Sequence, residues 1–192
     1  MAGMARHVCP FWIGYLLASP LRRWAYDPDR LLSPHVRAGM TVLDVGCAMG
    51  FFSLPLARLV GPGGRVVCLD VQERMLRALA KRAAEAGLSE RLELRACAQD
   101  TLGLGDRAGA FDFALAFAVV HEVPSPERLF AELRLALKPE ALLLLAEPAG
   151  HIGPAAFASE LDAAQRQGFV VLETPSVRRS RAALLRAPGP QS

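Results

Sequence analysis

Strand-length apolar runs that end in an acid or run into a glycine place the tightest limit on this chain: Thr41–Val45, Arg65–Asp70, Phe111–Phe117 and Ala141–Glu147. Such runs suit strands buried on both faces, an environment that parallel sheets supply because helices cover both sides. A further strand is expected at about 91–97. Helices are expected from after Gly50 to about Val60, at about 72–86, at 126–137 and at 154–167. Met75, Leu76, Leu79 and Ala83 form the inner stripe of the second, with Arg74, Arg77, Lys81 and Glu85 outside. Leu129, Phe130, Leu133, Ala136 and Leu137 do the same in the third, and Phe157, Leu161 and Ala164 in the fourth. Strands alternating with helices force right-handed crossovers and a parallel sheet.

Glycine and proline set the breaks. Gly61-Pro-Gly-Gly64 stops the first helix, Gly87 the second, and Lys138-Pro139 closes the third. Pro55 falls inside the first helix, where it is expected to remove a hydrogen bond and kink it. The end of the chain departs from the alternation. Phe169–Thr174 and about Arg178–Ala187 read as strands joined only by Pro175-Ser-Val177, too short for a crossover, so they must pair antiparallel. The expected fold class is α/β: a Rossmann-like, doubly wound, mostly parallel seven-stranded sheet ending in an antiparallel hairpin. The expected division is an N-terminal lid or helical segment at 1–34, one domain at 35–187 and a tail at 188–192.

Composition narrows the partners. Of 22 basic residues only Lys81 and Lys138 are lysines, and the net charge is +3 with arginines scattered until residue 178. No nucleic-acid footprint is expected from that pattern. Cys9, Cys47, Cys68 and Cys97 form no C-x-x-C pair, so neither a disulfide framework nor a metal site is expected, and a reduced cytoplasmic protein is. Three of them gathered on a soft thiophile such as arsenite is a narrower alternative. Arg6 and the apolar stretch Pro10–Ala18 imitate a signal peptide, but Pro10 and Gly14 interrupt it and Pro20, Arg22 and Arg23 follow. No stretch approaches the length of a membrane span.

The first strand leads into Thr41-Val-Leu-Asp44-Val-Gly46-Cys47-Ala48-Met-Gly50, a D-x-G-x-A-x-G turn before a helix. Glycines let backbone N–H groups and a helix N-terminus come close to a nucleotide-like ligand. A dinucleotide site would prefer G-x-G-x-x-G. This spacing, with the acid two residues before the first glycine, resembles motif I of the class I S-adenosylmethionine (SAM) methyltransferases. The terminal hairpin is what that family adds to a Rossmann-type sheet, and the resemblance covers about residues 38–187.

The resemblance implies SAM as cofactor and assigns roles by position. Asp44 would order the turn and the ligand's ammonium, with Gly46, Cys47 and Gly50 forming the turn and Ala48 replacing a usual glycine. Asp70, 20 residues after Gly50, falls where the family places the acid that takes both ribose hydroxyls, and Val71 would lie against the adenine. The acid that often ends the third strand is Cys97 here; Gln99 or Asp100 substitutes, or both are ordinary loop residues. Phe117 ends the fourth strand on the cofactor side. Beyond it Ala-Val-Val-His121-Glu122-Val-Pro124 is similar to the acceptor-facing loop of small-molecule, quinone-biosynthesis-type methyltransferases, whereas the Asn/Asp-Pro-Pro-aromatic motif of base methyltransferases is absent. His121 titrates near neutrality and is the expected base, with Glu122 beside it; the other reading is a histidine bonded to backbone.

Glu147 and His151, after the fifth strand, are further acceptor-side candidates. Arg178 and Arg179 (with Arg181) would hold an anionic acceptor if the last strand starts at the same edge, and otherwise form a solvated run. Trp12 and Tyr15, with Phe11 and Trp24, would cover the acceptor pocket from the N-terminal segment, or else complete the core. The expected function is methyl transfer from SAM to a small-molecule acceptor; oligomeric state is left open. The alternatives are a SAM-binding module or partner subunit without turnover, and a nicotinamide-dependent Rossmann enzyme, which the turn spacing and hairpin both disfavour.

Overall fold

The computed structural model describes residues 26–189. A central seven-stranded sheet runs in the order β3-β2-β1-β4-β5-β7-β6. Its strands are β1 (Thr41–Val45), β2 (Arg65–Asp70), β3 (Leu92–Ala96), β4 (Phe111–Phe117), β5 (Leu137–Pro148), β6 (Val170–Glu173) and β7 (Ser180–Arg186). Helices α1 (Pro28–Leu32), α2 (Ser53–Val60), α3 (Glu73–Glu85), α4 (Pro126–Ala136) and α5 (Pro154–Arg166) accompany them. The first five strands pair in parallel, and β7 pairs antiparallel with both β5 and β6.

Side chains alternate across the sheet into two cores. Leu43, Val45, Val67 and Leu69 pack with Leu129, Phe130 and Leu133 of α4 and with Phe157 and Ala164 of α5. Val42, Val66, Cys68, Phe113 and Leu115 pack on the other face with Leu32 of α1, Leu56 of α2 and Leu79 of α3. Each fully buried Leu or Phe among them contributes about 1.5–3 kcal/mol against exposure. The part of the N-terminal segment that is described thus enters the core through Leu32, which is fully buried.

Pro55 is the third residue of α2, and the bonds from Leu54 N–H to the Gly50 carbonyl and from Leu56 N–H to the Phe52 carbonyl bracket the one it cannot make. One local expectation is corrected. The fifth strand begins at Leu137 rather than Ala141, straight out of α4. A residue before proline is driven to extended backbone, so Lys138-Pro139 turns the chain into strand instead of loop. The extra residues form an irregularity in which Phe111 pairs with Leu137 but Phe113 with Leu142.

The strand order reverses between β1 and its neighbours β2 and β4, which puts a crevice at their carboxyl ends. Asp44 stands opposite Cys68 and Leu115, and Asp70 opposite Ala96, so both acids and Phe117 reach that edge.

Candidate active site

A cavity of about 780 Å³ occupies the crevice, large enough for a nucleoside-sized ligand and a small partner. Asp44, Gly46, Cys47, Asp70, Val71, Gln99, Phe117, His121, Glu122 and His151 all line it.

The glycine turn is shaped by protein contacts. Gly46 and Gly50 have φ of 71° and 82°. A Cβ at Gly46 would stand 2.8 Å from Val119 Cγ2, and one at Gly50 only 2.2 Å from Leu79 Cδ1. Both positions therefore need glycine for conformation and for packing on the neighbouring elements. Ala48 adopts φ 47° without being glycine, a strained conformation of the kind found at ligand-shaping turns. Its N–H donates to Asp70 Oδ2 at 2.9 Å. From α3, the Arg82 guanidinium donates to the Met49 carbonyl and pins the turn from behind.

Asp44 is 3% exposed. The Ser53 hydroxyl donates to its Oδ2 at 2.6 Å. Burial, with Asp70 nearby, pushes Asp44 up to about 7 despite that bond. Asp70 is also raised, by burial, although it accepts from the Gln72 and Ala48 N–H groups. Those donors occupy one direction at each of its oxygens, at 2.8 and 2.9 Å, and the remaining lone pairs suit two ligand hydroxyls. Burial raises the Cys97 thiol to about 11, so it is a neutral group where an acid would otherwise accept. The Cys47 thiol is also pushed well up, by burial beside Cys68.

At the other end, Phe117 packs edge-on to Tyr26 at 5.1 Å and against Phe52 at 4.5 Å. Tyr26 is linked to Ser180 of β7 at 3.2 Å. Facing them is a single 3₁₀ turn, Val120–Glu122, that presents His121. Glu147, at the end of β5, is fully buried and does not line the cavity. Its Oε1 accepts from the N–H groups of Val119 (3.2 Å) and Val120 (2.8 Å), and its Oε2 meets His121 Nδ1. That bond raises His121 above 6.5, more than burial lowers it. The His151 ring lies 6.2 Å from that of His121.

Three expected acceptor contacts are thus placed differently. Glu147 stands behind His121, fully buried, and the next residue, Pro148, takes the place in the lining. Arg178 and Arg179 are exposed and outside the lining, because β7 begins at Ser180, opposite Pro148, and its preceding turn projects past the sheet edge. Arg181 instead donates Nε to the Ile152 carbonyl at 3.0 Å, holding the loop that carries His151. Trp12, Tyr15, Phe11 and Trp24 lie outside the described residues. Arg128 and Glu132, spaced as an ordinary exposed helical pair, gave no signal in the sequence yet line the cavity.

The lining carries Asp44, Asp70, Asp100, Glu122 and Glu132, and Arg128 is its one lysine or arginine among the described residues. An acidic cavity in which the Asp70 carboxylate keeps lone pairs for two hydroxyls fits SAM, which brings two cationic groups and a ribose. Among the described residues, no helix is long and apolar enough to cross a membrane.

A family model described as "Methyltransferase domain" matches residues 37–175. Nocamycin O-methyltransferase of Saccharothrix syringae is 36% identical over 121 residues, 58% of this chain and 39% of that protein. Ubiquinone biosynthesis O-methyltransferase of Caulobacter vibrioides is 34% identical over 108 residues, 56% of this chain and 40% of that protein. These matches span about two-fifths of the curated relatives' length. The structure of a SAM-dependent methyltransferase from Aquifex aeolicus superposes with a TM-score of 0.82 at 25% identity, covering 93% of this chain and 98% of that one. The chain belongs to the methyltransferase-domain family, within the class I group that uses S-adenosylmethionine.

Proposed function

We propose that this chain transfers the methyl group of SAM to an ionisable hydroxyl of a small molecule, with His121 accepting the proton. The observation that carries this reading is the pairing of His121 with a buried carboxylate at the cavity wall. A carboxylate only accepts, so Nδ1 carries the hydrogen and Nε2 is left with a lone pair. Two backbone N–H groups on Oε1 hold Glu147 in place, so the histidine's tautomer and orientation are set before the acceptor arrives.

Bound SAM supplies an electrophilic methyl group; the protein's share is positioning and proton removal. The acceptor's hydroxyl proton passes to His121 Nε2 as its oxygen takes the methyl. The Tyr26–Phe117–Phe52 wall offers an apolar face to the body of the acceptor. The acceptor arrives uncharged. Five carboxylates against one arginine in the described lining disfavour an anion, and Arg178 and Arg179, the support for an anionic acceptor, lie elsewhere.

Because His121 is raised, its neutral form accumulates at a higher pH than that of an ordinary histidine. Turnover should therefore climb with pH through that raised value. Glu147→Gln should move the limb to lower pH and reduce kcat. His121→Ala should cost roughly 10²–10⁴ in kcat. The test is transfer of labelled methyl from SAM to a panel of neutral and anionic hydroxylated acceptors. Full kcat and an unaltered pH profile in His121→Ala would defeat the proposal.

A further inference from the structure

We infer that Glu132 of α4 is a positioning residue for the cofactor, holding the loop after β3 so that Gln99 meets the amino edge of adenine. This rests on the chain's use of SAM, with Asp70 on the ribose. Asp70 and Ala96 are register partners, so the loop that follows Ala96 borders whatever lies beyond the ribose. Its first N–H, at Cys97, donates to the Asp70 carbonyl at 3.1 Å. An Ala98–Thr101 bridge then doubles the chain back on itself.

Glu132 fastens that hairpin to α4. Its Oε2 accepts from the Leu102 N–H at 2.7 Å and from the Thr101 hydroxyl at 3.0 Å. Its Oε1 accepts from Arg128 Nε at 3.3 Å, and Arg128 Nη1 reaches Asp100 Oδ2 at 3.2 Å. One carboxylate thus fixes the loop twice directly and once through Arg128. Bonds to an ionised acceptor are the stronger kind, and Gln99 itself is exposed, so the loop depends on this anchor for its shape.

The same network decides which side chain can read a ligand. Asp100 is paired with Arg128. The Thr101 hydroxyl donates to Glu132 and accepts from the Gly103 N–H. Cys97 is a neutral thiol. Gln99 is the remaining polar side chain of the loop in the lining, and its amide oxygen can accept from an amino group.

Calorimetry of S-adenosylhomocysteine against its purine analogue, which has hydrogen in place of the amino group, tests this without any acceptor. The wild type should prefer the amino compound roughly tenfold, the worth of one good hydrogen bond. Gln99→Ala should bring the ratio close to one. Glu132→Ala should do the same, since an unanchored loop no longer presents Gln99. If Glu132→Ala does not fold, Thr101→Val removes one of the two direct bonds, and the ratio should fall there too. A merely structural Glu132 would weaken both ligands equally and keep the ratio, which overturns the inference. A wild-type ratio of one overturns it as well, with SAM use intact. Failure of the wild type to bind either compound would instead remove the SAM reading beneath it.

Discussion

Asp44 carries an ionisation cost that a bound cation would offset. Its carboxyl titrates at about 7 in the folded chain against 3.8 in the reference state. The folded state therefore binds a proton that the unfolded chain has already lost across that interval. Stability should fall as pH rises from about 4 through 7, and the full cost, on the order of 4 kcal/mol, is present above it. A ligand ammonium beside Asp44 reverses the sign by favouring the ionised form. Without ligand, Asp44→Asn should raise Tm most at pH 8, less at pH 5, and leave it nearly unchanged only below about pH 4, where both states hold the proton. S-Adenosylhomocysteine should bind the wild type more tightly as pH rises toward 7, by up to about tenfold per unit, with proton release seen in buffers of different ionisation heat. A flat affinity between pH 5 and 7 would show that Asp44 does not face the ammonium.

At the scale of elements, the start of β7 acts on the site through the backbone. Ala149 N–H donates to the Arg179 carbonyl and Arg181 Nε to that of Ile152, so the loop bearing His151 is tied to a strand far from it in sequence. Arg181→Ala should speed amide exchange at His151 and Ile152 roughly fivefold, the worth of one hydrogen bond, with Leu143–Leu145 unaffected. Equal protection in the mutant would mean that the turn's own bonds suffice. This coupling was not legible in the sequence, whereas most elements were. Apolar runs such as Phe111–Phe117 mark strands because burial on both faces leaves no polar alternation. Asp44 and Asp70 were legible for the same reason, since an acid at or next to the end of an apolar run stands at the carboxyl edge of the sheet. Glu147 ends a strand too, but whether such a residue faces a cavity or stands behind another side chain depends on depth. Depth is set by register, and β5 carries its irregularity where Lys138-Pro139 had suggested a loop. Arg128 and Glu132 were illegible because four-residue spacing looks the same on a solvated face as on a cavity wall.

On the whole molecule, the carboxyl edge of the sheet gathers one cavity lining. On the proposed reading, Asp44, Asp70 and the loop anchored by Glu132 hold the cofactor, and all fall within the 37–175 match. Tyr26, His121 and His151 would then face the acceptor, and Tyr26 joins the lining from ahead of β1. The aromatic residues Trp12, Tyr15 and Trp24 lie ahead of Tyr26 in the sequence and outside the described residues; a lid over the acceptor is the role proposed for that segment. Removing residues 1–25 keeps Tyr26, its bond to Ser180 and the buried Leu32. The shortened chain should therefore bind S-adenosylhomocysteine with unchanged affinity while methyl transfer falls sharply, chiefly through a raised KM for the acceptor. The two measurements separate the roles: full transfer would exclude a lid. Loss of cooperative unfolding, with cofactor binding gone as well, would place those aromatics in the core instead.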